Sequence, residues 1–152
     1  MANTQAFCTQ AKADLMNGLH AFGASVVRAA TTKDSYKAAL YLVTGSRGAG
    51  DTVYNVTGEV SGAGYSAGGV AVTTGTAPAT SGTTAYFTPS ASIVYSGVTL
   101  ATAFDTVLLY NDTSASKLAL AVFTFGSQTI TAGTFTLTMP VNDATTGLVR
   151  LA

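Results

Sequence analysis

Gly58–Val70, GEVSGAGYSAGGV, is the stretch whose residue types come nearest to a known chemical device. Within it, Gly62-Ala63-Gly64-Tyr65-Ser66-Ala67 fits the loose G-x-G-x-x-G/A pattern of a dinucleotide-binding turn. Such a turn holds a pyrophosphate on the amides of a helix start, and it needs an acid about 20 residues further on for the ribose. Here the following GGVAVTTG has strand character, and the segment about 20 positions on, SGTTAYF, contains no acid. A Walker lysine is absent as well. The glycines are therefore read as turn and close-approach positions. On that reading Gly62, Gly64, Tyr65, Gly68 and Gly69 shape a loop, and Glu59 accepts hydrogen bonds from its amides without catalysing anything.

Other candidate groups are sparse. His20 is the only histidine and Cys8 the only cysteine. A Cys–His pair would have to span twelve residues of one expected helix, roughly 18 Å at 1.5 Å per residue, which prevents direct contact. One histidine and one cysteine cannot build a zinc site within a chain. His20 is accordingly expected to bond backbone at a helix end or to pack beneath the sheet. Asp51, Glu59, Asp105, Asp112 and Asp143 each border an expected turn, where a carboxylate commonly bonds its own backbone. No D-x-D-x-D-G run suggests calcium. Tyr54, Tyr65, Tyr86, Phe87, Tyr95 and Tyr110 could line a sugar-binding platform, although core and interface packing explains scattered tyrosines more economically. No cofactor, metal or catalytic residue is expected.

The elements that would position these groups fall into two regimes. From Gln5 to Phe22, apolar residues recur every three or four positions at Cys8, Ala11, Leu15, Leu19 and Phe22. That spacing predicts a short amphipathic helix with Thr4 or Thr9 as its N-cap and Gly23 as its stop. Beyond Gly23 come short runs rich in β-branched and aromatic residues: SYKAALYLVTG, TVYNVTG, GGVAVTTG, TTAYFTP, ASIVYSGVTLAT, FDTVLLYN, KLALAVFTFG, SQTITAGTFTLTMP and TGLVRLA. Gly, Pro, Asn, Asp and Ser punctuate them. The pattern predicts a mainly β protein, an antiparallel β-sandwich or jelly-roll-like barrel. TFTLTMP alternates strictly, as a half-buried strand should. KLALAVFTFG reads as a central strand, Asn111–Ser114 as a hairpin loop, and GTAPATSGTTAYFTPS as an exposed loop. Residues 1–30 are expected to form an N-terminal helix and arm, and 31–152 a β-sandwich domain, together one compact unit.

Composition narrows the function classes. The 152 residues suffice for one domain with a sizeable core. Only 9% of them are charged, against a usual share of about 25%. A surface so poor in lysine and glutamate has little that opposes association, which favours a protein packed against copies of itself or a scaffold. Seven basic and seven acidic residues are scattered singly. No basic stripe is available for nucleic acid. No apolar run approaches the roughly 18–20 residues that span a bilayer. The N-terminus lacks a secretory signal pattern, so assembly in a cytoplasm is expected.

The segments MANTQAFCTQAKADLMNGLHAFG, KAALYLVTG, GEVSGAGYSAGGV and TITAGTFTLTMPVNDATTGLVRLA resemble small structural proteins of tailed bacteriophages. The most specific part is Glu59-Val60-Ser61-Gly62-x-Gly64-Tyr65. The resemblance implies a virion component without enzyme activity or cofactor, assembled in the host cytoplasm. The resemblance does not say which component; the first reading is a capsid decoration or cement protein, a homo-oligomer whose partners are the major capsid protein and copies of itself. Phe7, Leu15, Leu19 and Phe22 are then expected to dock the N-terminal helix. Glu59, Gly62, Gly64, Tyr65, Gly68 and Gly69 would form a subunit contact. The alternative is a tail-tip, fibre or adhesin subunit that recognises host-surface glycans.

Overall fold

A computed structural model describes residues 3–8, 11, 15, 19–21, 33–76, 78–82 and 84–151. The chain is mainly β and its named strands pair antiparallel throughout. In chain order they are β1 (Ala6–Phe7), β2 (Tyr36–Leu42), β3 (Val70–Val72), β4 (Ala79–Ser81), β5 (Thr84–Phe87), β6 (Ile93–Asn111), β7 (Ala119–Leu137) and β8 (Val149–Leu151). A five-stranded sheet has the order β1-β7-β6-β2-β3, and a three-stranded sheet the order β4-β5-β8. Side chains of both sheets, among them Tyr36, Leu109 and Leu120 on one side and Phe87 and Val149 on the other, line a common crevice.

The dominant element is the hairpin of β6 and β7, nineteen residues each. ASIVYSGVTLAT and FDTVLLYN, separate runs by sequence, are one strand, as are KLALAVFTFG and SQTITAGTFTLTMP. The residues that seemed to divide them became irregularities inside the ladder. The register slips between Tyr95 and Val98, around Gly97 at φ 64°, and again between Val98 and Leu100, opposite Ala132 at φ 46°. A glycine or a left-handed residue inside a long strand lets it bulge and twist while the hydrogen bonding resumes beyond. The hairpin loop lies where expected: the Asn111 side-chain oxygen accepts the amides of Thr113 and Ser114, at 3.0 Å each.

Strand β2 is buried on both faces, since Lys37 and Leu42 alone are more than slightly exposed. Its alternation of large and small residues thus carries core on each side rather than a solvent face. The core gathers Leu40, Tyr41, Tyr95, Leu100, Phe104, Leu108 and Val122, all under 2% exposed. Phe104, Phe125 and Phe135 pack ring to ring at 5.1–6.0 Å. In TFTLTMP the expected alternation holds, with Phe135 and Leu137 half-buried and Thr134, Thr136 and Thr138 exposed.

Three expectations need correction. TVYNVTG is not a strand: only Val53 makes a bridge, to Leu118, and Asn55 Oδ1 takes the Thr57 amide at 2.8 Å to turn the chain locally. GTAPATSGTTAYFTPS is not simply a loop, for it contains β4 and β5, paired about a turn with Gly82 at φ 57°. At the N-terminus, Ala6–Phe7 are strand, not helix, and pair with Val122 and Ala121 of β7. The sheet edge offers them ladder partners, and the Cys8 amide adds a bond to the Leu120 carbonyl at 3.3 Å. Ala11 and Leu15 have helical backbone, but most of the expected helix lies outside the described residues, and no helix is delimited among those described. The expected boundary near residue 30 likewise falls outside them. Asn3 is tied to the main body through the Leu42 carbonyl, Asp105 and the Arg47 amide.

Candidate interaction surface: the glycine-rich loop and the hairpin arm

Strand β2 pairs with β6 only from Phe104 to Asn111. The glycine-rich segment takes over where β2 ends. Gly58 and Val60 bond Leu42 and Leu40 of β2, and Ala63 then bridges to Thr99 of β6. Gly62 lies against the Thr99 carbonyl, which a Cβ would overlap. Two other positions require glycine outright. At Gly64 (φ 76°) a Cβ would run into the Gly97 carbonyl, and at Gly69 (φ 73°) into that of Ala38. Left-handed backbone and contact with a neighbouring strand coincide at both. The loop is a backbone-to-backbone seal along one edge of the hairpin.

Glu59 is the centre of this loop. Its Oε2 accepts the Tyr54 hydroxyl at 2.6 Å, and its Oε1 accepts the Tyr65 hydroxyl at 2.6 Å and the Gly68 amide at 2.7 Å. The Tyr65 hydroxyl also accepts the Leu40 amide at 3.0 Å, and the Tyr110 hydroxyl donates to the Gly68 carbonyl at 2.9 Å. Tyr54 stacks on Tyr110 at 4.7 Å and Tyr65 on Tyr95 at 6.1 Å. The amide-bound carboxylate expected from sequence is therefore present, and it binds phenols as well. Removal from water is the main cause that pushes these phenols up, Tyr110 to about 12 and Tyr54, Tyr65 and Tyr95 further. The Glu59 charge raises each of them too. They are held as neutral donors and cannot serve as bases at neutral pH.

The tyrosine platform foreseen for sugars does not form as an exposed surface. Tyr95, Tyr110 and Phe87 are buried, and Tyr54, Tyr65 and Tyr86 are half-buried. Beside the Glu59 network, Arg47 pairs with Asp51 at 2.8 Å and lies 4.3 Å over the Tyr41 ring. Sequence reading missed Arg47, because a single arginine in SRGAGD carries no pattern.

The remaining candidates are dispersed. Phe7 is half-buried and lines a cleft of about 530 Å³ between β1, β7 and the smaller sheet. Leu15 is half-buried, Leu19 is 44% exposed, and Phe22 lies outside the described residues. His20 is buried and stacks on Tyr36 at 6.2 Å, beneath the sheet as expected. Cys8 is buried with its thiol toward the Gly48 carbonyl at 3.8 Å. Among the described residues no three His, Cys, Asp or Glu gather as metal ligands, and no helix is long and apolar enough to cross a membrane.

The β6–β7 hairpin extends as an arm whose second strand has a feature that sequence reading passed over. From Leu118 to Asn142 there is no charged residue. Much of that stretch is exposed, including Gly126–Thr129, Thr131 and Ala132. A second hollow of about 190 Å³ lies against Phe125, Leu137 and Met139. The signal was available as a run without Lys, Arg, Asp or Glu, but it was divided between two expected strands. Comparison with known protein families, curated proteins and solved structures found no match.

Proposed function

We propose that this chain is a structural component of a tailed-phage virion, a capsid decoration or cement protein that binds the major capsid protein and copies of itself. The observation that carries the reading is the uncharged, solvent-facing arm of β7. Soluble monomers protect long strands with charge, because an apolar, uncharged strand invites contact. A protein that ends its life packed on a shell has no such need. The facing of the two sheets across Phe87 and Leu109 supports a β-sandwich or jelly-roll-like unit. Such a unit would be rigid enough to bear load between capsomers. Its work would be mechanical, through buried area and strand contacts rather than bond-making, without cofactor, nucleic acid or membrane. Assembly would take place in the host cytoplasm.

The phage assignment itself comes from the resemblance of the E-V-S-G-x-G-Y segment. The tail-tip or adhesin alternative loses its main argument with the tyrosines turned inward. Purified protein added to expanded shells that lack it should bind to saturation at a fixed ratio per capsomer. No binding to such shells refutes the capsid role.

A further inference from the structure

We propose that the outer edge of β7 at Gly133–Leu137 is a self-pairing site, where a second copy lays its own β7 antiparallel about a two-fold axis through Phe135. The proposal rests on the assembly reading for its purpose, although it needs no capsid to be tested. Of the two strands that border β7, β6 runs its length, while β1 covers only Ala121 and Val122. Beyond Val122 no other strand lies on that side among the described residues. The opposite edge of the arm is closed by β2 and the glycine-rich loop from about Gly97 to Asn111. Among the described residues the arm is therefore closed along that stretch on one side and bare beyond Val122 on the other.

The bare edge is not uniform. Its register against β6 slips around Phe125–Ser127 and again at Thr131–Ala132, and bulges of this kind hinder pairing. The Gln128 amide also reaches back to the Gly126 carbonyl at 3.0 Å and occupies the edge there. Within Gly133–Leu137 the one slip, between Phe135 and Gly133, puts its extra residue on β6 around Gly97, so this run of β7 has no bulge of its own. That run, Gly-Thr-Phe-Thr-Leu, is nearly symmetric about Phe135. Antiparallel pairing centred there sets Thr134 opposite the second copy's Thr136 and Phe135 opposite its counterpart, pairs that favour a sheet. Like charges set opposite one another oppose pairing, and this run carries none. Its near-symmetry about Phe135 matches it to a copy of the same chain.

Centred on Phe135, the paired run Gly133–Leu137 spans about 17 Å at 3.3 Å per residue, and a strip about 10 Å wide gives roughly 330 Å² in total, the size of a weak, concentration-dependent contact rather than a permanent one. The half-buried Leu137 and Met139 beside the second hollow add apolar area to that strip.

Sedimentation of the purified protein at rising concentration tests the proposal, together with two double variants at the exposed threonines. The wild type should form dimers. T134K/T136K should be monomeric, since the proposed register sets Lys against Lys. T134K/T136E should dimerise again, because the same register then sets Lys against Glu. Hydrogen exchange of the wild type should slow at Gly133–Leu137 as concentration rises, which requires no variant. A monomeric wild type, a T134K/T136K dimer, or no recovery in T134K/T136E overturns the proposal. Shell binding by a protein that stays monomeric would leave the capsid role standing and remove this interface alone.

Discussion

Replacing Glu59 is the perturbation whose size follows most directly from the geometry. The carboxylate accepts three bonds, from Tyr54, Tyr65 and Gly68. Hydrogen bonds to a charged group contribute about 1.5–3 kcal/mol each, and a buried donor left alone costs about 1–3 kcal/mol. Tyr54 is half-buried and regains water when its partner is lost, so the three do not sum in full. Glu59→Ala should therefore cost about 3–5 kcal/mol, a large part of the roughly 5–15 kcal/mol typical of a domain. Glu59→Gln can keep an oxygen toward Tyr65 and Gly68 and donate to the Tyr54 hydroxyl, which can turn to accept. Its loss should be confined to charge assistance, about 1–2 kcal/mol. Urea unfolding of both variants measures the two costs by linear extrapolation. The order wild type, Gln, Ala with the larger step at Ala supports a carboxylate that organises the loop. A Glu59→Ala protein within about 1 kcal/mol of wild type would refute it, since that is less than a single such bond contributes.

Gly69→Ala, at φ 73° and against the Ala38 carbonyl, should cost about 2–4 kcal/mol, since left-handed alanine alone costs about 1–2. Gly82→Ala, at φ 57° in open space, should cost only about 1 kcal/mol, and equal losses in thermal unfolding would contradict the close-approach argument. Raised phenol values make the folded state the tighter proton binder. Stability should therefore be intact below pH 10.0, the ordinary tyrosine value, and fall as pH rises toward about 12. Ultraviolet titration should show phenolate appearing together with unfolding rather than before it. Burial, aided by the charge of Asp51, pushes the Cys8 thiol up to about 11. Thiol reagents at neutral pH should thus leave Cys8 unmodified until urea unfolds the chain. Asp112→Asn removes partly exposed pairs with Lys37 and Lys117, and should cost no more than about 1 kcal/mol in the same unfolding assay.

The β class was legible because alternation and turn residues act locally. Its lengths were not, because Gly126 punctuates a sequence in the same way whether it ends a strand or bulges it. The helix expected over Gln5–Phe22 shows the opposite failure at its start. Ala6 and Phe7 fit a helical stripe, but a distant strand edge at Ala121–Val122 offered them ladder bonds. Glu59 was identifiable from its place beside glycines. Its phenolic partners were not, since Tyr54 and Tyr65 meet it only after the loop crosses from β2 to β6. The uncharged arm was visible as composition, but its meaning depends on which edge of β7 lacks a partner strand among the described residues.

The proposed reading makes this chain a phage product, so imaging the virion of its source phage at a resolution that traces strands tests the central claim most directly. The account predicts density for the β6–β7 hairpin on the outer surface of the head, repeated with the capsid lattice. Location at the tail tip, or absence from the particle, would contradict it.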